Sequence, residues 1–155
     1  MTPADLIDVA KDLVGSDRGK PRQAHLRRAV STTYYALFHA AARCCADAFI
    51  GANGGASPRA WSAVYRSLEH GFMRSQCLDQ ERMKAFPLEI QNFANALVTM
   101  QAKRHRADYD PAARFQKSAV ALDVAQAEAT ISDFRRSRPP DRRAFAAHLL
   151  LKSRT

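Results

Sequence analysis

The most chemically loaded stretch of this chain is Lys103-Arg104-His105-Arg106-Ala107-Asp108-Tyr109-Asp110-Pro111. It continues an apolar helical stripe in which Ile90, Phe93, Leu97 and Met100 recur at steps of three, four and three. The next steps, of four and three, land on Arg104 and Ala107, so Arg104 occupies a place in a row of apolar side chains. Asp108 follows at i+4, within reach of an intrahelical ion pair. A guanidinium in such a row must be paired or stand at the edge of a pocket, because burying it alone is costly. Two readings follow. One is an Arg104–Asp108 pair that ties the helix end to its neighbour, which spacing by itself favours. The other is a cation aimed into a cleft to hold phosphate.

A second line of polar groups lies upstream. Arg28, Thr32, Tyr35 and His39 fall at i, i+4, i+7 and i+11, beside an apolar seam of Val30, Tyr34, Leu37, Ala41, Cys44 and Ala48. A single histidine on such a border reads first as a hydrogen-bonded packing residue. Tyr34 and Tyr35 read as core aromatics with tethered hydroxyls rather than as base-stacking platforms.

The elements that must position these groups are helices. Thr2-Pro3-Ala4-Asp5 is a helix start that runs to about Val14. Pro21 opens a second helix that meets no breaker until about Ile50 and carries two adjacent apolar rows, as a helix at the centre of a bundle does. GANGGAS, residues 51–57, is a loop. Ser57-Pro58 caps a third helix with a stripe of Trp61, Val64, Tyr65, Leu68 and Phe72, and residues 74–86 are ambiguous, with room for a short helix before Pro87. The fourth helix begins near Pro87. Asp110-Pro111 is read as its stop and as the cap of a fifth, striped by Val120, Val124, Ala127, Ile131 and Phe134. No strand pattern occurs. The expected fold is all-α, a four- to five-helix up-and-down antiparallel bundle over residues 1–137. Residues 138–155 form a basic C-terminal tail, with room for a short helix over 141–152.

The 155 residues suit one domain, with a core large enough to need no disulfide or metal. Net charge is +9, and from Arg135 onward seven bases face Asp141 alone. Such an end either attracts nucleic acid by neutralising phosphates or serves as a solubilising terminus. Cys44, Cys45 and Cys77 have no C-x-x-C spacing and read as core residues in a reducing compartment. The opening MTPADLIDVAKDLV has no basic segment ahead of an apolar one, so no signal peptide is expected. No apolar run approaches the roughly 18 residues of a membrane span. A cytoplasmic location is the expectation, with no membrane. A bundle metalloenzyme would need Glu-x-x-His pairs, and Glu69-His70 are adjacent, so no metal and no cofactor are expected.

Together, Arg27-Arg28-Ala29-Val30-Ser31-Thr32-Thr33-Tyr34-Tyr35-Ala36-Leu37-Phe38-His39 and Arg104-His105-Arg106-Ala107-Asp108-Tyr109 resemble the HEPN superfamily. The likeness is to its small stand-alone prokaryotic members, with an R-A-x-S-x-x-Y-Y-A-x-F helix and an R-x-x-A-D-Y helix end. It covers roughly residues 3–136. The resemblance implies a helical bundle, frequent homodimers, RNA or nucleotide as ligand, and pairing with a small nucleotidyltransferase antitoxin. It also implies, for many members, metal-independent endoribonuclease activity that leaves a 2′,3′-cyclic phosphate. Active members place a histidine after the arginine with four to six residues intervening; after Arg104 those places hold Tyr109, Asp110 and Pro111. Arg18 to His25 and Arg143 to His148 have the spacing, but fall in a turn and the tail and are read as coincidence in a basic chain.

On the family's chemistry Arg104 carries the developing phosphorane charge, Asp108 orients it, and His39 is the best remaining acid or base. Arg28, Tyr35, His105 and Tyr109 are the expected substrate-binding residues. A tyrosine hydroxyl, whose reference pKa is about 10, makes a poor base at neutral pH, so the residue standing at position 109 does not replace the histidine. The missing histidine keeps a second reading open: a non-catalytic dimeric adaptor that binds a nucleotidyltransferase or another protein partner.

Overall fold

The computed structural model describes residues 1–154. It contains eight α-helices: α1 (Pro3–Gly15), α2 (Gln23–Ile50), α3 (Pro58–Ser67), α4 (His70–Leu78), α5 (Gln80–Met83), α6 (Leu88–Tyr109), α7 (Lys117–Arg135) and α8 (Pro139–Leu150). A single 3₁₀ turn covers Ala52–Gly54, and no strand occurs among the described residues. The all-α expectation holds. Thr155, the last residue of the expected tail, lies outside the described residues.

The 28-residue α2 is the axis of the molecule, packed against α1, α3, α6, α7 and α8. Its two apolar rows explain this, since Ala29, Ala36, Ala41, Ala42 and Ala46 are essentially inaccessible and let neighbours approach on several sides. α1 starts where expected: the Thr2 hydroxyl accepts from the Asp5 amide while the Asp5 carboxylate accepts from the Thr2 amide, a complete capping box. Beyond α2 the chain reverses through glycines. Gly55 has φ 52°, and a Cβ there would stand 2.5 Å from the Ile50 carbonyl oxygen, so no other residue fits.

Three expectations are corrected. The third helix stops at Ser67, because Leu68 takes an extended conformation (φ −69°, ψ 121°) and the chain restarts as α4. Met73 and Cys77, not Phe72, face the core there. The fifth helix begins at Lys117 rather than Pro111. Asp110 makes a local turn instead, its Oδ1 accepting from the Ala112 amide at 2.9 Å. The chain that follows is held non-helical by α2: Gln23 pairs with both backbone groups of Phe115 at 2.8 and 2.9 Å. Arg27 donates to the carbonyls of Ala107, Asp110, Pro111 and Ala113. Those bonds fix the end of α6 against α2. Arg27→Ala is therefore expected to destabilise the protein by about 3 kcal/mol, since it strands buried carbonyls that a charged donor served; urea denaturation checks this.

The third correction concerns the tail. α8 packs its inner face into the core: Phe145, Ala146 and Leu149 are at most 1% exposed. Phe145 meets Phe86, Phe93 and Phe134 edge-on at centroid distances of 5.6, 6.2 and 5.8 Å. The expected boundary at residue 137 cuts through this aromatic cluster, so the domain runs on to about Leu150.

Candidate functional site

The three bases of the opening stretch go to different places. Lys103 Nζ binds the Asp123 carboxylate at 2.8 and 2.9 Å and ties α6 to α7. The Arg106 guanidinium covers one side of Phe115. Arg104 alone turns inward, with 15% of its side chain exposed. Its guanidinium lies over the rings of Tyr34 and Tyr35, at 5.2 and 5.7 Å from their centroids. The Asp108 contact is long, 3.5 Å from Nη1 to Oδ2. The other carboxylate oxygen, Oδ1, accepts from the Ser31 hydroxyl on α2. Arg104 Nε is buried with no hydrogen-bond partner. A guanidinium offers five N–H donors, and here the protein leaves most of that capacity unused.

Tyr35 is the hub of the surroundings. Its ring lies 6.3 Å from that of His39 and 6.2 Å from that of His70, centroid to centroid, on the helix face that also meets Arg104. The two histidines are built alike. His39 Nδ1 is hydrogen-bonded to the Tyr65 hydroxyl, and His70 Nδ1 to the Tyr34 hydroxyl at 2.6 Å. His70 also stacks on Phe38, with centroids 4.0 Å apart and planes 17° from parallel. Its backbone carbonyl accepts from Gln101 Nε2 of α6 at 3.2 Å. Among the described residues no hydrogen bond reaches Nε2 of either ring. The arrangement thus sets a cation and two oriented imidazoles around one tyrosine ring.

Burial holds the His39 imidazole below the ordinary histidine range. His70 is held below it as well, first by burial, then by the positive charge of Arg104, then by His39. Both rings are therefore neutral at neutral pH and can take up a proton. Burial pushes the Tyr34 and Tyr65 hydroxyls above their ordinary range, so both stay protonated. When each tyrosine oxygen accepts from Nδ1–H, Nε2 is left as the basic nitrogen.

These depressed values fix the sign of a pH effect on stability. Below about pH 6.5 the unfolded chain binds protons at His39 and His70 that the folded chain resists, so stability falls as the medium is acidified. The contribution is fully present above that range and declines below it. In thermal melts from about pH 7 to about pH 5, the H39Q/H70Q double variant is expected to show a flatter decline than wild type.

The structure joins Arg104, Asp108, Tyr35 and His39 of the expected site. Arg28 is exposed on the face of α2 that carries Ser31, Tyr35 and His39, one turn before Ser31. His105 and Tyr109 do not join the cluster. They are exposed and pair with each other, centroids 5.0 Å apart, because one residue along a helix turns a side chain about 100° away from Arg104. The coincidental spacings stay apart: His25 binds Asp17 at 2.8 Å, and His148 binds the Gln76 carbonyl at 2.7 Å. Sequence reasoning missed Ser31, Tyr65, Gln101 and above all His70. The one signal for His70 is its place at the first residue of a helix after the break at Leu68. No group of three or more possible metal-ligating side chains occurs among the described residues, and no helix there is long and apolar enough to cross a membrane.

No family model matches the chain, and no curated protein or solved structure matches it.

Proposed function

We propose that this protein is a HEPN-like RNA- or nucleotide-binding protein that cleaves RNA without a metal, with Arg104, His70 and His39 as its working groups. The observation that carries the reading is the underused guanidinium of Arg104, set over Tyr34 and Tyr35 beside two neutral, oriented imidazoles. Cleavage by internal transesterification needs a base for the ribose 2′-hydroxyl, a cation for the phosphorane and a proton for the departing 5′-oxygen. One imidazole Nε2 takes the 2′-hydroxyl proton as the 2′-oxygen forms its bond to phosphorus. The P–O5′ bond breaks, and the 5′-oxygen leaves with a proton from water. Arg104 neutralises the phosphoryl oxygens throughout, and Asp108, fixed by Ser31, positions it. The products are a 2′,3′-cyclic phosphate and a 5′-hydroxyl. Arg28, exposed on the same face, steers a neighbouring phosphate.

In this reading His70 takes the place of the histidine that the family sets beyond the arginine. The chain acts as a homodimer in the cytoplasm, as the toxin of a pair whose antitoxin is a small nucleotidyltransferase. End-labelled structured RNA incubated with the protein in excess chelator tests the chemistry. Cyclic-phosphate ends are expected, with a loss of about 10²-fold or more in H70A. A folded wild-type protein that binds the RNA and leaves it whole would reduce the function to binding.

A further inference from the structure

Beyond His39, towards the C-terminal end of α2, lies a second concentration of positive charge that the proposed cleavage site does not use. A cavity of about 480 Å³ opens there, with Arg43 of α2, Arg135 of α7, and Arg142 and Arg143 of α8 on its walls. Asp47 is the one carboxylate lining it, and its Oδ1 already accepts from the Trp61 indole nitrogen at 2.8 Å. Among the described residues none of the four arginines is in an ion pair.

Two of the arginines are held there by contacts that leave their charge unspent. Arg142 Nη1 donates to the carbonyl oxygens of Arg135, at 3.1 Å, and Ser137, where α7 ends. The Arg43 guanidinium rests over the Trp61 ring at 5.7 Å. Arg135 and Arg143 are exposed and their side chains make no hydrogen bond among the described residues. Four like charges around one opening repel one another, and the packing of α8 into the core keeps them together. An ion of several negative charges would relieve that repulsion, and the forked geometry of guanidinium matches phosphate oxygens. Ala40, Ala48 and Phe134 add apolar side chains to its lining, and its volume falls within the roughly 300–1,000 Å³ of small-molecule sites. The Cys44 thiol also lines it, but burial pushes that group up to about 12, so it supplies no nucleophile.

We infer that this cavity is a binding site for clustered phosphate groups, with Arg43, Arg135, Arg142 and Arg143 as the anion receptor and no chemistry of its own. Clustered phosphates come from two sources, a free nucleoside polyphosphate or adjacent phosphates of an RNA strand. A free nucleotide also brings a base whose face can lie against the apolar side chains of the lining. The site stands independently of the cleavage reading, since none of its four arginines belongs to the Arg104 cluster.

The test is calorimetric titration of the full chain with tripolyphosphate, with ATP and with an eight-nucleotide single-stranded RNA, on wild type, R135E/R143E and R104A. Arg135 and Arg143 are exposed and their side chains hold nothing in place, so the double variant should fold; its melting curve without ligand confirms this. Tripolyphosphate is expected to bind wild type and R104A alike, and the double variant at least about tenfold more weakly. Tight ATP binding that the double variant loses assigns the cavity to a free nucleotide. Loss of RNA affinity in the double variant, with weak ATP binding throughout, assigns it to the strand. No binding of tripolyphosphate to wild type at low salt, or equal binding by the folded double variant, overturns the inference. Because R104A tests only the cleavage cluster, failure of either idea leaves the other standing.

Discussion

Phe145→Ala is expected to lower stability by about 4 kcal/mol, which for a chain of this size is a fall in Tm of roughly 10 °C. The side chain is fully buried and touches three other phenylalanine rings. Phe93 and Phe134 stack behind it at 4.0 Å, with planes 8° apart, and removing the ring leaves a void beside this pair. Phe86 closes the cluster from the turn between α5 and α6. Deleting everything after Ser137 should be more severe still. It exposes Phe134 and the α2 surface around Cys45, and it removes the bonds by which His148 and Gln76 join α8 to α4. Circular dichroism melts of F145A and of the truncated chain decide the matter: a truncated chain that melted like the full one would return residues 138–150 to the status of an appended tail.

The helix that carries Phe145 shows where charge misleads. Phe145, Ala146 and Leu149 have helical spacing in the sequence, and Pro139-Pro140 suits a helix start as well as a stop. The surrounding arginines made the segment look like a solvated end. In the folded chain they are the outer face of an amphipathic helix whose inner face completes the core. Asp110-Pro111 misled in the opposite way, as a helix start on local grounds. What overrides it is Arg27, some 80 residues earlier in sequence, whose guanidinium takes the carbonyls that follow. A side chain that captures backbone across so long a separation leaves no local periodicity. The long helices were legible because each buries its own stripe, and a stripe is a local pattern.

The same distinction divides the site. Arg104 and Asp108 lie on one helix, and Tyr35 and His39 on another, so helical geometry alone brought each pair into register. The intrahelical ion pair that spacing favoured does form, at 3.5 Å, yet it accounts for little of the guanidinium, which spends its length over two tyrosine rings. Ser31 and His70 were hidden. Ser31 matters only because α6 brings Asp108 onto it, and His70 only because α4 restarts where it does. Adjacency to Glu69, the feature that set His70 aside as a metal ligand, has no bearing on its place between Phe38, Tyr34 and Tyr35.

On the proposed cleavage, Arg104→Ala is expected to reduce the rate by about 10³-fold, through kcat rather than KM, because that proposal gives the charge on the phosphorane to Arg104. Arg104→Lys keeps a cation but loses the planar fork and its fit over Tyr34 and Tyr35, and should fall between the two. The substitutions leave the fold intact, since Asp108 remains bonded to Ser31 and the Tyr34 hydroxyl to His70. A loss confined to KM would make Arg104 a binding group only, and an unaltered rate would end its role in the chemistry. A second readout needs no substrate. The Arg104 charge helps to hold the His70 imidazole down, so Arg104→Ala should move the His70 titration, followed by its ring-proton NMR signals, towards higher pH. Arg104→Lys, which keeps the positive charge, should leave it near the wild-type position. A His70 titration indifferent to the loss of Arg104 would mean that the two groups do not share a site, and no phosphate could then use both.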